Sequence, residues 1–73
     1  MNFGLKIKIR RIEMGYTQKE LAYKVGISPI TMCRYERLER EPNIKVMKEI
    51  SKQLNIPVQE LFFEEEGFEY ERA

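Results

Sequence analysis

The chain contains no histidine, no tryptophan and no aspartate, and it has a single cysteine, Cys33. With one thiol and no imidazole, no Cys/His metal site can be assembled, no intramolecular disulfide can form and no His-based triad exists. Acid–base chemistry would rest on glutamate alone, in a chain of 73 residues with little room for a cleft. An enzyme is therefore not expected, and no catalytic residue, metal or cofactor is assigned.

Long apolar runs are missing too. None exceeds three residues, as at Leu61-Phe62-Phe63, against the roughly 20 that a spanning helix needs. The first residues, Met1-Asn2-Phe3-Gly4, lack the charged and apolar regions of a signal peptide, and Asn2 stands where myristoylation needs glycine. A cytoplasmic protein with no membrane association is expected, and a free thiol suits that compartment.

What is present is the composition of one small soluble domain, 42% hydrophobic and 34% charged. The formal net charge is only +1, but it is unevenly spread. Residues 1–40 carry +5, residues 41–63 are neutral, and residues 64–73 carry −4, with five glutamates against Arg72. Such asymmetry points to a nucleic-acid face with an acidic tail, and the chain is expected to divide into a DNA-binding domain, residues 1–63, and an acidic C-terminal tail, residues 64–73.

The pattern predicts five short helices and an all-α fold. The first is expected from about Leu5 to Met14, with Leu5, Ile9 and Ile12 forming its apolar face and Ile7 off that stripe. Gly15 is a natural left-handed terminator. Thr17-Gln18-Lys19-Glu20 is a capping box, in which a hydroxyl and a carboxylate reciprocally satisfy two orphan amides. Leu21, Ala22 and Val25 continue that second helix, and Gly26 ends it. Ser28-Pro29 restarts the chain at once, with Ser as N-cap and Pro where no amide hydrogen is needed. Asn43 is expected to cap a fourth helix bearing Ile44, Met47, Ile50 and Leu54, Asn55 to close it, and Pro57 to open a last short helix through Val58, Leu61 and Phe62.

Two short helices joined by a tight turn containing glycine form a helix-turn-helix. Ala22 is small where the helices approach, Gly26 permits the turn, and Ile27 fills the gap between them. On the third helix, 100° per residue puts Met32 and Tyr35 on the inner side, Ile30, Arg34 and Arg37 roughly opposite, and Cys33 at the margin.

Several segments in register carry a resemblance: residues 15–22 (Gly-Tyr-Thr-Gln-Lys-Glu-Leu-Ala), Val25-Gly26-Ile27-Ser28, Arg34-Tyr35-Glu36-Arg37, Glu41-Pro42, residues 50–56 and Glu60-Leu61-Phe62. Over about residues 4–62 the chain resembles the Cro/lambda-repressor-type, or XRE-like, helix-turn-helix family. That resemblance implies a five-helix lambda-repressor-like domain that lays its third helix in the DNA major groove. The family's phosphate-clamping glutamine matches Gln18, its base-reading positions match Pro29, Ile30, Cys33 and Arg34 with Ser28 at the edge, and its interhelical ion pair matches Arg11 and Glu36. Three positions depart from the family pattern. Pro29 and Ile30 replace polar base readers and offer only apolar contact, such as to a thymine methyl. Leu38 replaces a glycine after the third helix, so that loop is expected to turn differently. Asn55 replaces another glycine, mildly, because Asn tolerates the left-handed region.

Each assignment has a plainer competitor. Arg34 is either a guanine reader, through its bidentate fork, or a solvated surface arginine. Gln18 is a phosphate donor or an ordinary first-turn glutamine. Arg37 and Arg40 neutralise phosphates or pair with Glu36, Glu39 and Glu41. Cys33 is a redox switch or a small inert residue. The expected function is sequence-specific binding of double-stranded DNA by a transcriptional repressor, as a homodimer on a pseudo-palindromic operator with half-sites roughly 10 bp apart, paired near Pro57–Phe63. The alternative is an antitoxin-like or adapter module that acts through a protein partner bound by residues 64–73.

Overall fold

The computed structural model describes residues 2–63; the expected acidic tail, 64–73, lies outside the described residues. Four α-helices run in order, α1 (Phe3–Glu13), α2 (Gln18–Val25), α3 (Pro29–Glu36) and α4 (Ile44–Leu54), followed by α5, a π-type turn (Gln59–Phe63). There is no strand among the described residues.

The helix boundaries follow local capping chemistry. Asn2, Thr17, Ser28 and Asn43 all hold extended backbone, and each side chain accepts the amide three residues on. The Thr17–Glu20 box is closed in both directions, at 3.0 and 2.9 Å. Gly15, Gly26 and Asn55 take positive φ at the helix ends expected for them. α1 starts two residues earlier than anticipated because Asn2 accepts the Leu5 amide at 2.8 Å.

Every helix contributes to one core: Ile7 from α1, Leu21 and Ala22 from α2, Met32 and Tyr35 from α3, Ile50 and Leu54 from α4, and Leu61 from α5. Burying side chains of this size stabilises a fold by about 1.5–3 kcal/mol each, relative to exposure. α1 is tied to the end of the chain by polar contacts as well. Arg10 Nε donates to the Leu54 carbonyl at 2.8 Å, satisfying an orphan acceptor at the end of α4, and Lys6 Nζ donates to the Glu60 carbonyl at 2.9 Å. The Phe3 and Phe62 rings meet with centroids 5.7 Å apart.

Three expectations are corrected here. The inner face of α1 is Gly4, Ile7 and Arg11, whereas Leu5, Ile9 and Ile12 are 42%, 38% and 58% exposed. The stripe failed because two of the buried positions are not apolar. Gly4 is buried since a Cβ there would meet the Tyr35 carbonyl oxygen at 2.9 Å and crowd the Glu36 carbonyl still more, and Arg11 is buried because it is paired. On α4, Ile44 is exposed and Met47 only half-buried, so that helix packs through Ile50, Ser51 and Leu54. Finally, Leu38 does not turn the chain a new way. It adopts φ +62°, the left-handed conformation its side chain disfavours, so the exit from α3 keeps the geometry a glycine would give.

Candidate nucleic-acid interface

The α2–α3 unit is built from its turn outward. Gly26 sits at φ +88°, and the amides of Gly26 and Ile27 both reach the Ala22 carbonyl, at 2.9 and 3.0 Å. α3 follows immediately. The Ser28 hydroxyl accepts the Thr31 amide at 3.1 Å and lies 2.9 Å from the Thr31 hydroxyl, so Ser28 is engaged in starting the helix. Met32 and Tyr35 then anchor α3 in the core, which fixes its rotation about its own axis.

That rotation determines what α3 displays. Pro29, Ile30 and Arg34 are exposed, Ile30 by 65%, and Cys33 is half-buried at the margin. No carboxylate among the described residues lies within ion-pair distance of Arg34 or Arg40. Arg37 stands 4.0 Å from Glu39 in a solvent-exposed pair of little energetic weight. An apolar group followed by an unpaired guanidinium on one exposed helix face can supply a methyl contact and a bidentate hydrogen bond to base edges.

A buried polar network holds this face in place. Arg11 grips Glu36 with two hydrogen bonds, Nε to Oε2 at 2.7 Å and Nη2 to Oε1 at 3.2 Å. The two side chains are only 11% and 3% exposed. Arg11 Nη1 also donates to the Tyr16 carbonyl at 2.9 Å, and Gln18 Nε2 donates to Glu36 Oε1 at 2.9 Å. One carboxylate at the end of α3 thus collects donors from α1 and the start of α2, while Arg11 also pins the loop between them. The contacts made by the Tyr16 carbonyl and by Gln18 were not legible in the sequence. They join residues 5 and 18 positions apart, and no local spacing signals the second.

The exposed surface beside α2 includes a shallow cavity lined by Tyr16, Lys19, Tyr23, Lys24, Ile27 and Pro29, with Lys24 Nζ 5.2 Å from the Tyr16 ring centroid. Of these residues, only Pro29 is among the expected DNA-contacting positions. Among the described residues, no helix is long and apolar enough to cross a membrane.

A family model described as helix-turn-helix matches residues 7–61. The chain belongs to the helix-turn-helix family of XRE, or Cro/lambda, type, a family of DNA-binding transcriptional regulators rather than enzymes. It is similar to the HTH-type transcriptional regulator SinR of Bacillus subtilis (strain 168), with 35% identity over 69 residues, 93% of this chain and 62% of that one. A SinR protein/SinI protein complex contains a chain that superposes with a TM-score of 0.81, at 31% identity, covering 96% of this chain and 72% of that chain. The HTH-type transcriptional regulator ImmR of the same organism is 33% identical over 66 residues, 90% of this chain and 52% of the relative. The P22 c2 repressor, solved with a synthetic operator, superposes with a TM-score of 0.83 at 30% identity, over 86% of this chain and 96% of that one. The chain spans between half and two thirds of the length of the curated relatives it matches, 52% of ImmR and 62% of SinR.

Proposed function

We propose that this chain binds operator DNA and represses transcription by laying α3 in the major groove. The observation that carries the reading is the division of α3 itself. Met32 and Tyr35 are locked in the core while Pro29, Ile30 and Arg34 are presented together to solvent. In this reading Arg34 bonds guanine O6 and N7, Ile30 and Pro29 contact thymine methyls, and Ser28 and Cys33 line the edge of the contact. Gln18 donates to a phosphate from the start of α2, and Arg37 and Arg40 neutralise further phosphates. Arg11 and Glu36 stay out of the groove and fix α3 against α1. The P22 c2 repressor, a structural neighbour, is solved on an operator, which supports the docking mode.

So small a module makes few base contacts, so two copies on a pseudo-palindrome are expected, with half-sites roughly one helical turn apart. Selection from a randomised duplex library tests the reading. Recovery of a palindrome with guanine opposite Arg34, lost in Arg34→Ala, is the expected result, and binding without sequence enrichment would sink it. A second reading gives the chain a protein partner, engaged through residues 64–73. The structural neighbour SinR is solved as a complex with SinI, which favours testing it. DNA binding that requires a copurifying protein would select it.

A further inference from the structure

The outer face of α2 is left without a role by the core and by the display of α3. Leu21 and Ala22 turn inward, so Lys19, Glu20, Tyr23 and Lys24 lie on the opposite, exposed side of the helix. Together with Tyr16, Ile27 and Pro29 they line a cavity of about 720 Å³, within the roughly 300–1,000 Å³ typical of binding sites. We propose that this cavity docks an acidic segment of a partner protein, whose aromatic or aliphatic anchor fills it while its carboxylates meet Lys19 and Lys24.

Tyr23 supplies the apolar half of the argument. It is 86% exposed, more than any other large hydrophobic side chain among the described residues. It neither joins the core nor makes a hydrogen bond to another described residue. Tyrosine joins a large apolar area to a polar tip, which is why it recurs among the residues that carry binding energy at protein–protein contacts.

Charge selects the chemistry of the partner. No carboxylate among the described residues lies within ion-pair distance of Lys19 or Lys24. Lys24 is held near the Tyr16 ring, 5.2 Å from its centroid, so its ammonium stands beside an aromatic wall. The one acid of the lining, Glu20, is occupied in capping α2, where its Oε1 accepts the Thr17 amide at 2.9 Å. Two ammonium groups without carboxylate partners, set among apolar walls, complement a segment that carries carboxylates around an apolar anchor.

A DNA backbone fits this surface less well. Phosphates have no use for walls of tyrosine, isoleucine and proline, and Glu20 would oppose them with its own charge. Pro29 belongs both to the cavity and to the exposed face of α3, so a segment seated here abuts that face and brings carboxylates toward it. Occupancy should therefore oppose DNA binding. That antagonism rests on the groove docking proposed above, whereas the docking of the partner does not.

Selection of a random dodecapeptide library on the immobilised full chain tests the site, with the enriched peptide then labelled and titrated by fluorescence anisotropy. The expected consensus is an aromatic or aliphatic residue flanked by Glu or Asp. Tyr23→Ser should weaken that peptide about tenfold or more, and Lys19→Glu combined with Lys24→Glu should abolish its binding, with helical circular dichroism unchanged in both variants. The duplex recovered by operator selection should displace the peptide. A library that enriches nothing, or a peptide whose affinity both variants leave intact, would overturn the proposal. So would a lysine double variant that loses affinity for all duplexes alike and keeps the peptide, which would make the surface a contact for the DNA backbone. A duplex that binds alongside the peptide would overturn the antagonism.

Discussion

Glu36 Oε1 accepts both the Gln18 amide, at 2.9 Å, and Arg11 Nη2, at 3.2 Å, so the residue expected at the phosphate backbone is held by the residue that orients α3. The carboxylate is almost fully buried. Glu36→Ala would leave the Arg11 guanidinium buried without its partner, a change that typically costs 3–5 kcal/mol. A domain of this size is stable by only about 5–10 kcal/mol. We expect Glu36→Ala to lower the urea midpoint severely, whereas Gln18→Ala, which leaves the Arg11–Glu36 pair intact, should cost about 1 kcal/mol and weaken DNA binding. Equal midpoints for the two variants would contradict this ordering.

Arg34 and Arg40 are expected to fail differently. Arg34→Ala should cost on the order of 1–3 kcal/mol per half-site against the preferred base and relax selection at that position. Arg40→Ala should weaken binding to all sequences alike and reduce the slope of log affinity against log salt by about 1 per protomer. Measuring both variants on specific and scrambled duplexes separates the two. A salt slope unchanged by Arg40→Ala would remove that residue from the phosphate contacts.

The Arg11–Glu36 pair, 25 residues apart, came from the family resemblance; the parts of this fold legible from the residues alone are those encoded within four residues. The Thr17–Glu20 box, the Ser28-Pro29 restart and the left-handed ends at Gly15, Gly26 and Asn55 are local devices, and the structure contains all of them. The display of Ile30 and Arg34 followed from helical geometry once Met32 and Tyr35 were placed inside. The inner face of α1 was not legible, because apolar periodicity cannot register a glycine buried for close approach or an arginine buried by its ion pair. The Gln18–Glu36 hydrogen bond was hidden for a related reason: it exists only after α2 and α3 have docked.

Gly4 gives the sharpest test of that account of α1. By helix propensity alone, Gly→Ala within a helix stabilises by roughly 1 kcal/mol. Here an added Cβ would stand 2.9 Å from the Tyr35 carbonyl oxygen and nearer still to that of Glu36, both rigid backbone atoms at the end of α3. Overpacking of this kind costs about 1–3 kcal/mol and outweighs the propensity gain. Gly4→Ala should therefore lower the melting temperature, by several degrees for each net kcal/mol in a domain this small. A higher melting temperature would mean that α1 does not sit this close to α3.

Leu38 should show the opposite sign. It holds φ +62°, where an L side chain costs about 1–2 kcal/mol and glycine is unstrained. Two effects oppose the replacement: glycine loses more backbone entropy on folding, and the half-exposed Leu38 side chain gives up some apolar contact. Neither is large for an exposed turn position, so Leu38→Gly should stabilise by about 0.5–1 kcal/mol. Thermal and urea denaturation should both shift upward, with the urea m-value unchanged because the folded state keeps its shape. Arg37 and Arg40 flank this turn, so the same variant also probes the interface. If strain at Leu38 only compensates for a missing glycine, DNA affinity should stay constant while stability rises. A loss of affinity in a more stable protein would show instead that the Leu38 side chain itself contacts the bound duplex.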